Sequence, residues 1–168
     1  MVNISLYFDI RHHYYWKKSE SLLKELSSNN RHKFEVSLDI FLSISLCAHY
    51  IMFEIFVKNN DKLKNIVFAK PDRPNYNFYK LIDGLNKEIQ LKNFNTLKEL
   101  NSIGNMIKHI KCNERANENI YDYAIKSVKD FKKYHDSVLE LLSVAKDKKY
   151  IEDIWPDMQP YQSKALSN

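Results

Sequence analysis

The longest apolar stretch of the chain covers residues 34–57 and reads FEVSLDIFLSISLCAHYIMFEIFV. Its apolar side chains recur every three to four residues, which is the spacing of one face of an α-helix. One face carries Phe34, Leu38, Phe41, Leu42, Met52, Phe53 and Phe56, and a second side carries Ile40, Ile44, Ile51 and Ile55. The pattern predicts a central helix over residues 32–58 that is buried on more than one side.

The same stretch is long and apolar enough to be weighed as a membrane span. It contains Asp39, His49 and Glu54. An acidic side chain in the middle of a span costs about 2.5–3.5 kcal/mol on insertion scales. We therefore expect a buried core helix and no membrane partner, with His49 as a core histidine.

The remainder of the chain also favours helices. Only two glycines and four prolines occur, so there are few residues for the turns of a many-stranded fold. Three-four spacing predicts further helices at residues 11–28, 78–91, 97–111 and 119–148. Together these segments predict an all-α fold, a bundle of four to five helices.

Local signals refine those boundaries. Gly84 is expected to interrupt the helix at residues 78–91, and Thr96 with Glu99 predicts a capping box for the next helix. Loops are expected at residues 70–74, which hold two prolines, and at the polar residues 111–117.

At 168 residues the chain has the length of one domain. We assign residues 1–150 to a single helical-bundle domain and residues 151–168 to a C-terminal tail rich in proline and aromatic residues.

The net charge of +5 raises the question of a nucleic-acid partner. Lysine supplies most of the positive charge, which is dispersed along the chain, whereas arginine, the better phosphate clamp, is scarce. A basic nucleic-acid-binding regulator is therefore one alternative, not the leading one.

Cys47 and Cys112 are far apart and match no metal spacing. Cys47 is expected to be a buried core thiol. A reduced, cytoplasmic location is expected because there is no disulfide framework and no signal-peptide pattern at the start of the sequence.

Glycine-rich phosphate loops and zinc patterns are absent from the sequence, so no cofactor and no metal are expected.

Residues 97–109 read LKELNSIGNMIKH and carry the most informative polar pattern. Apolar residues at 97, 100, 103 and 107 predict the buried face of this helix. Asn105 and His109 are four residues apart, so they share a face that is offset from the buried one. A histidine open to a cleft can move protons.

This helix, followed by a polar loop and a long amphipathic helix, resembles the HEPN superfamily. HEPN proteins are helical bundles, usually dimers, of toxin–antitoxin, antiviral-defence and RNA-processing systems. Active members cleave RNA without a metal, using an arginine followed by a polar residue and then a histidine. The resemblance implies Asn105 as the polar residue and His109 as the catalytic histidine. It places the arginine at position 104, where this chain has Gly104.

The missing arginine bears directly on catalysis. RNA cleavage builds negative charge on a phosphate, and losing one donor that stabilises such charge costs about a hundred to a thousandfold in rate. Lys108 and Lys111 are candidate substrate-binding residues, but as point charges and not as a planar fork. Glycine inside a helix costs about 1 kcal/mol, so Gly104 needs an explanation. Either another helix, such as that of a dimer partner, approaches closely, or the position drifted after activity was lost.

The sequence therefore predicts a HEPN-like helical protein linked to RNA metabolism, defence or a toxin–antitoxin system. Its metal-independent endoribonuclease activity is expected to be weak or lost, and whether it is an enzyme stays open. The implied partners are a second copy of the chain, RNA, and an antitoxin or other protein. A non-enzymatic helical interaction module is a further alternative.

Two other groups of residues are candidate sites. The first is a cluster of basic and aromatic side chains, Arg11, His12, His13, Tyr14, Tyr15 and Trp16. It could stack bases, but packing into the core at a helix end is favoured. The second is His135, which lies on the apolar seam of the last helix and either faces His109 or fills the core.

Overall fold

The computed structural model describes residues 4–28, 33–59, 63, 77–109 and 128–151. These residues form five α-helices: α1 (Ile4–Ser28), α2 (Lys33–Lys58), α3 (Phe78–Ile89), α4 (Phe94–His109) and α5 (Lys132–Asp147). A short 3-10 helix, Val128–Phe131, leads into α5. The described part contains no strand, and the predicted all-α class of four to five helices is confirmed.

α2 is the central helix, as predicted. It contacts each of the other four α-helices, and Phe41, Ile44 and Ile51 on it are fully buried. By length and composition α2 could cross a membrane, but 67% of its most apolar window is buried inside the protein. That burial is what the core helix of a bundle requires, because apolar side chains on several sides need protein partners.

α1 runs antiparallel to α2. Tyr15 lies beside Tyr50 and His12 beside Glu54, so partners on α2 move backward as α1 moves forward. α1 begins at Ile4, earlier than the predicted residue 11. The added turns lie before residue 11, where the apolar spacing that predicts the helix begins.

α3 and α4 form an antiparallel helical hairpin. Tyr79 pairs with Ser102, and Asp83 pairs with Lys98. α3 continues through position 84, so the expected interruption at Gly84 is wrong. The hairpin turns at Gln90, which has a positive φ of 49°.

The start of α4 also differs from the prediction. α4 begins at Phe94, which places Thr96 inside its first turn, so the predicted capping box is wrong. The Glu99 carboxylate instead accepts a hydrogen bond from the Tyr134 hydroxyl of α5 at 3.1 Å.

A carboxylate from α5 takes over the capping of α4. Glu140 accepts hydrogen bonds from the backbone N–H groups of Lys92 at 2.6 Å and Asn93 at 2.8 Å. Negative charge is favourable there because the free N–H groups of a helix start carry partial positive charge. This contact fixes the N-terminal end of the helix that carries Asn105 and His109.

The last predicted helix is described only from residue 128. Its described part starts as a 3-10 helix, and regular α-helix begins at Lys132. The predicted loops at residues 70–74 and 111–117 lie outside the described residues, as do Cys112, Lys111 and the tail beyond Ile151.

Candidate functional site

α4 meets α2 at Gly104 and Ser45. A Cβ atom on Gly104 would lie 2.0 Å from the Ser45 Oγ and 2.5 Å from the Ser45 Cβ. Real side chains do not approach so closely, so a residue with a Cβ cannot occupy position 104 unless the two helices move apart. The close approach of a helix thus explains the glycine, and that helix is α2 of the same chain, not a dimer partner.

This contact determines whether a side chain at position 104 could reach a substrate. Gly104 is buried, and its Cα faces the neighbouring helix and not solvent. An arginine here would have to pass through Ser45 before its guanidinium could reach a substrate. The position that the HEPN resemblance assigns to a cation is therefore part of the packed core.

Asn105 and His109 lie on a different side of α4. His109 is exposed and Asn105 is half-buried, as expected for a face offset from the buried one. Ser102, one turn before Asn105, is also exposed, and its Oγ lies 2.7 Å from the hydroxyl oxygen of Tyr79. The polar face of α4, defined by Ser102, Asn105 and His109, is thus bordered by α3.

Lys108 is the described cation nearest to His109 in sequence. Partial desolvation lowers the pKa of Lys108 below its usual value. Burial, together with the nearby charge of Lys108, lowers the pKa of His49 to about 4. His49 is therefore neutral near pH 7, and the α4 terminus lies close to this part of α2. The second predicted substrate-binding lysine, Lys111, lies outside the described residues.

His49 is not a fully buried core histidine. It is half-buried, and its ring stacks on Phe78 of α3 with the centroids 6.3 Å apart and the planes 8° apart. The sequence expectation is therefore only partly met. The ring lies where α2 and α3 meet.

His135 fills the core and does not face His109. Its Nε2 lies 3.1 Å from the Ser19 Oγ, and its ring packs on Trp16 with the centroids 4.5 Å apart. Ser19 donates its own hydroxyl proton to the Trp16 carbonyl at 2.7 Å, so the Nε2–H of His135 must donate to Ser19. Burial lowers the pKa of His135 to about 4.

A buried polar group was missed by sequence analysis. Glu54 is only 3% exposed; its Oε1 lies 3.0 Å from the Lys58 Nζ, and its Oε2 lies 3.4 Å from the His12 Nδ1. Burial by itself would raise the pKa of Glu54, but His12 and Lys58 outweigh it and the pKa is lowered. The four-residue spacing of Glu54 and Lys58 was a usable signal, whereas the pairing with His12 depends on how α1 lies on α2.

The aromatic cluster at residues 11–16 divides between core and surface. His12 and Trp16 are buried, which fits the favoured core interpretation. Tyr14 is 57% exposed and Tyr15 is half-buried, so these two side chains do not fit the core interpretation.

Metal-ligating groups are scarce in the part of the chain that the structure describes. No group of three or more histidine, cysteine, aspartate or glutamate side chains among the described residues could hold a metal ion. Cys47 is fully buried, and burial raises the pKa of its thiol, so it is a core residue as predicted. A buried thiol of raised pKa is a poor nucleophile.

Comparison with protein-family models, curated proteins and solved structures found no match for this chain.

Proposed function

We propose that this chain is a HEPN-like, RNA-associated helical protein whose metal-independent endoribonuclease activity is weak or lost. The contact between Gly104 and Ser45 carries the proposal, because it fills the place where the resemblance requires an arginine. The exposed His109 and half-buried Asn105 retain the rest of the pattern on the surface.

The expected loss of activity follows from the chemistry of RNA cleavage. Attack by the 2′-hydroxyl puts additional negative charge on the phosphate, which a fixed cation stabilises most effectively. His109 offers an imidazole that can accept and donate a proton. Lys108 offers positive charge, but on a long single-point side chain whose ammonium is partly desolvated. We expect a rate at least about a hundredfold below that of a site with the arginine.

Association with RNA is supported by charge and by the polar face of α4. The chain carries a net charge of +5, which favours contact with phosphates. Asn105 adds an amide with donors and an acceptor. The resemblance further implies a homodimer and a role in RNA processing, defence or a toxin–antitoxin pair, and light scattering on the purified chain would test the dimer.

The proposal is tested by incubating the purified chain with end-labelled single-stranded RNA in EDTA. We expect intact RNA with the unchanged protein and with His109→Ala alike. Lys148→Ala is a matched control, because Lys148 is an exposed basic residue just beyond the end of another helix. Robust cleavage that persists in Lys148→Ala and disappears in His109→Ala would overturn the proposed loss of activity.

A further inference from the structure

Six rings from three helices form a continuous row on one side of the protein. The ring row consists of Tyr14, Tyr15, Tyr50, His49, Phe78 and Tyr79, in spatial order. Neighbouring ring centroids lie 5.1–6.3 Å apart along the row. Edge-to-face contacts alternate with stacked ones, and Tyr15 and Tyr50 are parallel to within 2°. Such geometries are favourable for aromatic pairs.

The ring row runs from one exposed ring, Tyr14, to Phe78, which belongs to the hydrophobic core, and to Tyr79 packed against it. Tyr14 is 57% exposed, Phe78 is buried, and the other four rings are half-buried. The core has its own aromatic pair, Phe41 with Phe131, and both residues are fully buried. Burial of the core therefore does not require Tyr14 to be aromatic.

Positive charge flanks the exposed end of the ring row. The Arg11 guanidinium lies 5.1 Å from the Tyr50 ring centroid, and its Nη1 donates to the Tyr50 hydroxyl at 2.9 Å. Arg11 precedes Tyr14 by three residues and Lys18 follows it by four, so all three share a face of α1. Lys18 is exposed. An exposed ring with positive charge beside it is suited to a planar, uncharged group that is joined to an anionic backbone.

The other end of the ring row reaches the polar face of α4. The Tyr79 hydroxyl pairs with Ser102 on that face. Lys98 lies 6.0 Å from the Tyr79 ring centroid, although Asp83, at 3.1 Å from its Nζ, partly compensates its charge.

We propose that the exposed end of the ring row binds single-stranded RNA, with Tyr14 stacking on an unpaired base and the exposed Lys18 contacting a phosphate. The inference deepens the proposed function and rests on it. Aromatic rings in a positively charged groove are the general means of holding single strands, because every base has a face that can stack. Paired bases cannot do so, so duplex RNA should bind more weakly.

Fluorescence anisotropy with a labelled oligouridine of about twelve nucleotides tests the ring row. The matched probe is an abasic strand with the same number of phosphates. We expect the unchanged protein to bind oligouridine about tenfold more tightly than the abasic strand. Tyr14→Ala should remove most of that preference, and Tyr14→Trp should retain it.

Val57→Ala is the matched control, because Val57 is also a large exposed apolar residue, at 52% exposure, and is not part of the ring row. Equal affinity for both strands, or equal behaviour of Tyr14→Ala and Val57→Ala, would overturn the inference. If the protein binds oligouridine and Tyr14→Ala does not change the affinity, the inference about the ring row is wrong, but the proposed function stands. If the unchanged protein binds no RNA at all, the proposed function fails with it.

Discussion

Gly104 and Ser45 pack with no room for a side chain at position 104, since a Cβ there would lie 2.0 Å from the Ser45 Oγ. The contact joins the central helix α2 to the helix that carries Asn105 and His109. One residue thus has two consequences. It allows α4 to lie close on α2, and it excludes a cation from the position that the HEPN resemblance assigns to arginine.

Gly104→Ala should destabilise the protein by about 1–3 kcal/mol, the usual cost of overpacking a core. At an exposed helical glycine, substitution by alanine would instead raise the free energy of unfolding by up to about 1 kcal/mol. Urea unfolding of the two single variants and the double variant Ser45→Gly/Gly104→Ala completes a double-mutant cycle. Ser45→Gly should recover much of the loss, because it removes both clashing atoms. A stabilised Gly104→Ala would contradict the close packing.

The same packing determines the stability of Gly104→Arg, the variant that would restore the arginine of the HEPN pattern. Gly104→Arg should lose cooperative unfolding or fall in stability further than Gly104→Ala, because a larger side chain must displace Ser45. Thermal unfolding monitored by circular dichroism would show this directly. A Gly104→Arg variant as stable as the unchanged protein would mean that α2 and α4 separate easily.

Stability should fall as the pH drops from about 6.5 to 4. The pKa of His135 is lowered to about 4 in the folded protein by burial, against 6.5 for an exposed histidine. In this window the unfolded chain binds a proton that the folded protein does not, so folding loses up to about 3 kcal/mol. His49 acts in the same direction. The lowered pKa of Glu54 contributes only at lower pH, below its ordinary value of 4.5.

Urea unfolding at several pH values checks this with His135→Gln, which has no titrating ring. The variant should show a smaller fall in stability between about pH 7 and pH 4, whatever its stability at neutral pH. An identical pH dependence in the two proteins would show that His135 does not titrate as a buried neutral group.

Glu140→Ala should lower the free energy of unfolding by about 1–2 kcal/mol, since two backbone N–H groups at the start of α4 lose a charged acceptor. Glu140→Gln keeps an acceptor and should cost less. Glu25→Ala serves as a control, because Glu25 is exposed on α1. If Glu140→Ala and Glu25→Ala unfold at the same urea concentration, the cap contributes nothing.

The elements that sequence analysis predicted are those with local signals. The three-four apolar spacing of residues 34–57 is enough to identify α2 as the central helix, because only a core accepts apolar side chains on several sides. The four-residue spacing of Asn105 and His109 likewise predicts their shared, outward face, since helix periodicity fixes it without reference to other helices.

The features that escaped prediction depend on contacts distant in sequence. Thr96 has the spacing of a capping box, but Glu140, 47 residues beyond Asn93, caps the backbone instead. Whether Gly104 faces a dimer partner or its own core depends on how α4 packs on α2. The pairing of His12 with Glu54 similarly requires the register of two antiparallel helices.

The affinity of single-stranded RNA for the double variant Asn105→Ala/His109→Ala tests the central claim most directly. We predict that the unchanged protein and Lys148→Ala bind intact RNA in EDTA with equal affinity. The double variant should bind about tenfold more weakly, because it lacks two polar contacts of about 0.5–1.5 kcal/mol each. Equal affinity of all three proteins, or no binding by the unchanged protein, would contradict the claim that the polar face of α4 contacts RNA.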